Sequence, residues 1–183
     1  MPDRNIGVTI QKNKRHGEKA MKIKKSNAAR QLDELGLPYE LKQFEVDESD
    51  LSAETAAKTL GLPLEQVYKT LVARGDKSGV LEACLPAGRE LDLKALAAAS
   101  GNKNVSLVPV KELPALTGYQ RGGCSPLGGK KNYPVYILDE IMAHERIIIN
   151  AGGRGLMFYL APADLVKAVG ATLAPIARPA SPE

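Results

Sequence analysis

A single α+β domain, built on a mixed, barrel-like β-sheet flanked by helices, is the fold class that this sequence predicts. Three observations lead there. Helical and strand-like segments follow one another irregularly, without the strict alternation of a doubly wound sheet. Arg146-Ile147-Ile148-Ile149-Asn150 is apolar on both faces, as a central strand requires. With 6 Tyr, 2 Phe and no Trp in 183 residues, the core has to be built from Leu, Val, Ile and Ala.

The charge divides the chain before any element does. Residues 1–25 hold eight Lys or Arg against two acids, and the remainder holds 17 against 19. The overall charge of +4 is therefore a property of the extension, not of the body. We expect residues 1–25 to be a basic, disordered N-terminal extension, 26–177 the domain, and 178–183 a C-terminal tail. A disordered basic arm can strengthen contact with phosphates non-specifically. Met21 would also make a sensible start, which favours an extension without a role. No apolar run is long enough to cross a bilayer, no apolar stretch follows the N-terminal basic residues, and two cysteines make no disulfide framework. A soluble, cytoplasmic protein is expected, with no membrane contact and no DNA partner.

Ser26 is placed to cap a helix running to Leu35, with Ala29, Leu32 and Leu35 on one face and Gly36 as its stop. Tyr39–Val46 reads as a strand whose alternation slips phase near Lys42-Gln43, suggesting a bulge or bend. The acidic run 45–50 reads as a solvated loop. Ser52 caps a helix through Leu60, ended by Gly61. Val67–Ala73 and Val80–Leu85 form a hairpin around 75–79. Asp92–Ser100 is an Ala/Leu helix, Val105–Val110 a short strand and Lys111–Leu116 a helical turn. Val135–Asp139 and Leu156–Leu160 are further strands, Pro162–Val169 is a helix with proline in its first turn, and Ala177–Glu183 is frayed.

The most informative stretch is Gly118-Tyr119-Gln120-Arg121-Gly122-Gly123-Cys124-Ser125-Pro126-Leu127-Gly128, followed by Lys130 and Lys131. Four glycines and a proline in eleven residues exclude a regular element but allow backbone N–H groups to approach a ligand closely. Arg121 adds a planar cation, which suits an anionic or carbonyl-bearing ligand. The stretch is neither a Walker loop nor a dinucleotide fingerprint. A second glycine turn, Ala151–Gly155, carries Arg154.

Other constellations fail on chemistry. His16 and His144 lack ligand spacing, so neither a metal nor another cofactor is expected. No Ser-His-Asp pattern exists. Cys124 is either a thiolate nucleophile among donors and cations or a small buried side chain, and Cys84 belongs to the core. Lys69 lies in a strand among Val, Tyr, Thr, Leu and Val; the pattern alone favours its turning outward into water.

Val67-Tyr68-Lys69-Thr70-Leu71, the glycine stretch with Ser125-Pro126-Leu127-Gly128 and Lys130-Lys131, and Gly152…Arg154-Gly155-Leu156…Leu160-Ala161-Pro162…Asp164-Leu165 together resemble the YbaK family of aminoacyl-tRNA deacylases. That family is similar to the editing domain inserted in bacterial prolyl-tRNA synthetases. The resemblance runs from about Ser26 to Ala177. It implies a pocket for the aminoacylated 3′ end of tRNA, hydrolytic clearance of mischarged tRNA with cysteinyl-tRNA(Pro) foremost, and prolyl-tRNA synthetase as a candidate partner. It further implies that Lys69 and Gly122 carry the chemistry, Lys69 as the cation holding the tRNA terminus and Gly122 through backbone donors. Phe44, Thr70, Tyr119, Arg121, Gly123, Asn150, Gly152, Arg154 and Met157 are the implied substrate-binding residues. In the YbaK subgroup the substrate's own thiol attacks its carbonyl, which would dispense with a protein nucleophile and leave Cys124 without a role.

Three positions depart from the subgroup: Phe44 stands for Tyr, Asn150 for Ser, and Met157 for an acidic residue. The amino acid removed is therefore less constrained than the reaction. The altered positions also motivate an alternative, a non-catalytic module that binds tRNA, a synthetase or a small ligand through the same cleft.

Overall fold

In the computed structural model, the described residues are 9–12 and 25–180. The strands are β1 (Thr9–Lys12), β2 (Glu40–Gln43), β3 (Val67–Gly75), β4 (Gly79–Pro86), β5 (Arg89–Leu91), β6 (Val105–Leu107), β7 (Val135–Leu138), β8 (Ile147–Gly153), β9 (Leu156–Leu160), β10 (Thr172–Ala174) and β11 (Ala177–Pro179). The helices are α1 (Asn27–Glu34), α2 (Ala53–Leu60), α3 (Leu93–Ser100), α4 (Leu113–Thr117) and α5 (Pro162–Val169).

Sequence chemistry sets the helix ends. The Ser26, Ser52 and Asp92 side chains accept from the backbone N–H three residues on, satisfying donors left over in the first turn of α1, α2 and α3. Gly61 and Gly101 close α2 and α3 in the left-handed conformation.

Eight strands follow the order β1-β2-β9-β8-β3-β4-β7-β10, and β6 branches from β3. The sheet is mixed: β8 runs parallel to β3, and β7 runs parallel to β4 and β10. The branch leaves a gap along one edge of β3. β8 pairs with β3 at Val67 and Tyr68, β6 pairs with it at Ala73–Gly75, and the stretch between has no strand against it on that edge. The sheet splays open there, at Lys69.

The larger core cluster joins the sheet to α1 through Ala28, Ala29 and Leu32 and to α5 through Leu165, with Tyr39 and Phe158 meeting edge to face at 5.1 Å. A smaller cluster packs Ala56 and Ala57 of α2 against Val67, Ile148 and Met157. That second cluster seats α2 beside the splay.

Several expectations need correction. Leu35 is 49% exposed, and Ala28 takes its place on the buried face of α1. The strand expected over Tyr39–Val46 ends at Gln43, because the Phe44 N–H turns to the Gly155 carbonyl at 2.9 Å. The strand expected over Val105–Val110 ends at Leu107, and Val110–Glu112 form a 3-10 turn after Pro109. The C-terminal segment expected to fray begins with β11, paired antiparallel with β5; both are three-residue strands, too short for alternation to reveal. Part of the extension expected to be disordered forms β1, paired with β2. The rest of residues 1–24, with His16 and Met21, lies outside the described residues, as do residues 181–183.

Candidate active site

The splay in the sheet opens into a cavity of about 490 Å³. Its floor follows from register. Val67 pairs with Ile148, and Asn150 pairs with Met157, so Lys69, Asn150 and Met157 lie on one face across β3, β8 and β9. This is the face that α2 covers, so Lys69 does not turn outward into water. One wall is the start of α2 with the acidic loop before it, including Leu51 and Glu54. The opposite wall is the first glycine loop at Arg121, Gly122 and Cys124. Leu107, Val108, Val110 and Leu113 form an apolar end.

Lys69 is half-buried, and its Nζ donates to the Ala87 carbonyl at 3.2 Å. Burial lowers its pKa from the ordinary lysine value, while Glu54 and Glu90 pull it back up. Thr70 faces the opposite way from Lys69 along β3, with its hydroxyl 3.6 Å from the Cys84 sulfur, and still borders the cavity. Cys84 is fully buried, which pushes its thiol up to about 12.

Gly122 has φ +81°, and a Cβ placed there would meet the Leu51 side chain at 3.1 Å. The two walls thus meet at a residue without a side chain. The Gly122 N–H has no hydrogen-bond partner among the described residues. Its carbonyl accepts from Asn150 Nδ2 at 3.1 Å, and the neighbouring Arg121 carbonyl accepts from Arg154 Nε at 3.0 Å.

Of the residues expected from sequence, Phe44, Lys69, Thr70, Arg121, Gly122, Asn150 and Met157 line this one cavity. Tyr119, Gly123, Gly152 and Arg154 do not; they form the joint behind it. The Tyr119 hydroxyl donates to the Leu127 carbonyl at 2.6 Å, and its ring covers Gly152, where a Cβ would come within 3.1 Å of it. Gly123 backs onto the Gly153 and Arg154 backbone. Arg154 reaches forward to Glu48 at 3.6 Å, tying the joint to the acidic loop.

That acidic loop is exposed, as expected, yet it also forms the cavity mouth. Asp47 and Asp50 spend their oxygens locally, on Ser49 and on Ser52 and Thr55, and these hydrogen bonds hold both carboxyls below the usual range. Sequence reasoning missed Leu51 and Glu54, for which spacing gives no signal. It also missed Glu82 on β4, whose carboxyl is buried and pushed up to about 7 by desolvation. Cys124 lines the cavity, and burial, reinforced by the charge of Glu82, pushes its thiol up to about 11. It is a thiol at neutral pH, not the thiolate that nucleophilic attack needs. Among the described residues no three His, Cys, Asp or Glu are grouped so as to hold a metal ion.

The family model of the aminoacyl-tRNA editing domain matches residues 47–168, which take in all of the cavity lining except Phe44, Glu45 and Val46. The chain belongs to this family. A relative from Enterococcus faecalis, provisionally named Cys-tRNA(Pro)/Cys-tRNA(Cys) deacylase EbsC, is 43% identical over 152 residues, covering 83% of this chain and 93% of that protein. The uncharacterised protein YwhH of Bacillus subtilis is 27% identical over 121 residues, covering 66% of this chain and 76% of that one. Among solved structures, the hypothetical protein APE2540 superposes with a TM-score of 0.77 at 22% identity, over 84% of this chain and 100% of that chain. A protein provisionally described as a trans-editing enzyme for prolyl-tRNA synthetase superposes at 0.71 with 24% identity, over 83% and 95%. At these identities the two structures speak for the editing-domain fold alone.

Proposed function

We propose that this editing domain is a trans-acting deacylase that hydrolyses the ester of mischarged aminoacyl-tRNA, with cysteinyl-tRNA(Pro) as its leading substrate. The observation that carries the reading is the meeting of a half-buried ammonium, Lys69, and an unpartnered backbone donor, Gly122, in one cavity of a chain that matches the editing-domain model from one wall to the other. The name of EbsC supports cysteine as the amino acid.

An aminoacyl ester is already activated, so orientation and stabilisation of the developing oxyanion are enough to speed its cleavage. Lys69 holds the tRNA 3′ terminus beside the scissile bond. The Gly122 N–H donates to the carbonyl oxygen as it gains charge. For a cysteinyl substrate, the substrate sulfur attacks its own carbonyl carbon, a C–S bond forms and the C–O ester bond breaks. The thiol proton passes to the departing ribose oxygen, leaving free tRNA and a cyclic thioester that water opens. Cys124, held as a thiol, takes no part. The partner is the acceptor end of tRNA in the cytoplasm, with prolyl-tRNA synthetase a further candidate.

The test is a panel of charged tRNAs, with and without prolyl-tRNA synthetase. Turnover of cysteinyl-tRNA(Pro) is expected. A protein inert across the panel would rule the reading out, and saturable binding without turnover would replace it with the non-catalytic module.

A further inference from the structure

Two side chains, Asn150 and Arg154, hydrogen-bond the peptide carbonyls on either side of the Gly122 Cα. We propose that Asn150 and Arg154 are positioning residues, which lock the two peptide planes flanking Gly122 and so fix the donor in the cavity wall. This role rests on the deacylase reading.

Valence limits what Asn150 can do. A carboxamide has two N–H donors and two acceptor lone pairs. Asn150 Nδ2 donates to the Gly122 carbonyl at 3.1 Å and the Gly153 carbonyl at 3.0 Å. Its Oδ1 accepts from the Gly152 N–H at 2.7 Å and the Gly153 N–H at 3.1 Å. All four positions are occupied, so Asn150 has nothing left for a ligand although it lines the cavity. A flipped carboxamide would set NH₂ against two N–H groups and oxygen against two carbonyls, so only one orientation fits.

Arg154 completes the lock. Its Nε draws the Arg121 carbonyl to the joint side at 3.0 Å, and in a planar trans peptide the Gly122 N–H then points the opposite way. Asn150 pins the next peptide, whose N–H, on Gly123, is already spent on the Gln120 carbonyl at 2.9 Å. With both planes held, the φ of +81° at Gly122 is set. Two adjacent glycines would otherwise spread over many conformations, and a donor that stabilises an oxyanion works only when preorganised.

The test is steady-state kinetics of Asn150→Asp, Arg154→Ala and the double variant on several aminoacyl-tRNAs. Asn150→Asp keeps acceptors for Gly152 and Gly153 but faces the Gly122 carbonyl with an oxygen. We expect kcat to fall on the order of 10- to 100-fold while KM stays within about twofold, by the same factor for every amino acid accepted. Acidification should restore part of the activity of Asn150→Asp, because a protonated carboxyl can again donate to Gly122. The double variant should lose less than the product of the single losses. A rise in KM, or a loss confined to one amino acid, would make these residues substrate contacts and overturn the proposal. Should the variants fail to fold, hydrogen exchange in the wild type decides. The Asn150 carboxamide protons should be protected in the free protein and unchanged on adding a non-hydrolysable 3′-aminoacylamido adenosine. Their deprotection, or their transfer to that compound, would refute the lock. The exchange readout needs no turnover, so inactivity across the tRNA panel would sink the function reading separately.

Discussion

The Lys69 ammonium is tethered to the Ala87 carbonyl, 3.2 Å away, at the point where β8 has left β3 and β6 has not yet joined it. The contact holds a cation over the splay in the sheet without neutralising it. A charge kept there half-buried remains available to an anionic or carbonyl oxygen.

Truncation of that side chain should cost activity and little else. Lys69→Ala is expected to lower kcat/KM on the order of 100-fold or more, leaving the thermal midpoint nearly unchanged. Parallel activity and melting measurements check this; loss of both together would make Lys69 a structural residue.

Because burial lowers the Lys69 pKa, the alkaline limb of the activity profile should fall at lower pH than an ordinary lysine would give. The sign is fixed: activity is present below the folded pKa and is lost as pH rises through it. The profile should be measured on a non-cysteinyl ester, so that the substrate thiol does not titrate in the same range. A limb at the free-lysine value would contradict the assignment.

Gly122→Ala combines a left-handed φ with a Cβ 3.1 Å from Leu51. We expect a stability loss of about 1–2 kcal/mol and a larger proportional loss of kcat, since both walls must shift. Gly155→Ala should destabilise more, as its Cβ would lie 2.3 Å from the Phe44 carbonyl oxygen, a backbone atom. Denaturant titration of the two variants orders them; equal stability would show that the walls yield freely.

Glu82 supplies a prediction on stability alone. Its folded pKa is raised from 4.5 to about 7, so the folded state holds a proton that the unfolded state releases. Stability should therefore fall as pH rises from about 4.5 to about 7, by up to about 3 kcal/mol, and then level off. Glu82→Gln should remove that slope, matching the wild type in acid and exceeding it at pH 8. A constant difference at all pH values would refute the burial argument.

Cys124→Ser should keep activity within about twofold, because a thiol that burial pushes up to about 11 is not the thiolate that nucleophilic attack needs. Loss of turnover, or a trapped acyl-enzyme on the wild-type cysteine, would contradict the substrate-thiol route.

Much of the scaffold was legible because local chemistry sets it. Ser26, Ser52 and Asp92 announce helix starts, and the 75–79 turn announces the β3–β4 hairpin. Short strands such as β5, β10 and β11 were not legible, since three residues carry no period and their pairing partners lie far along the chain. For the site, alternation within β3 said only that Lys69 and Thr70 face opposite ways. Which side was covered depended on α2 docking against Val67 and Met157, a non-local fact. The hydrogen bonds of Asn150 and Arg154 to the Gly122 and Arg121 carbonyls were not legible either, because residue type does not reveal which partners a side chain takes.

The central claim is that Lys69 and Gly122 act on one aminoacyl ester within one cavity, Lys69 on the tRNA terminus and Gly122 on the carbonyl oxygen. Single-turnover hydrolysis of cysteinyl-tRNA(Pro) by the wild type and by folded Lys69→Ala tests it most directly. Rapid release of tRNA by the wild type, with the variant reduced to near the spontaneous rate, is the predicted result. Equal rates for the two proteins would contradict it.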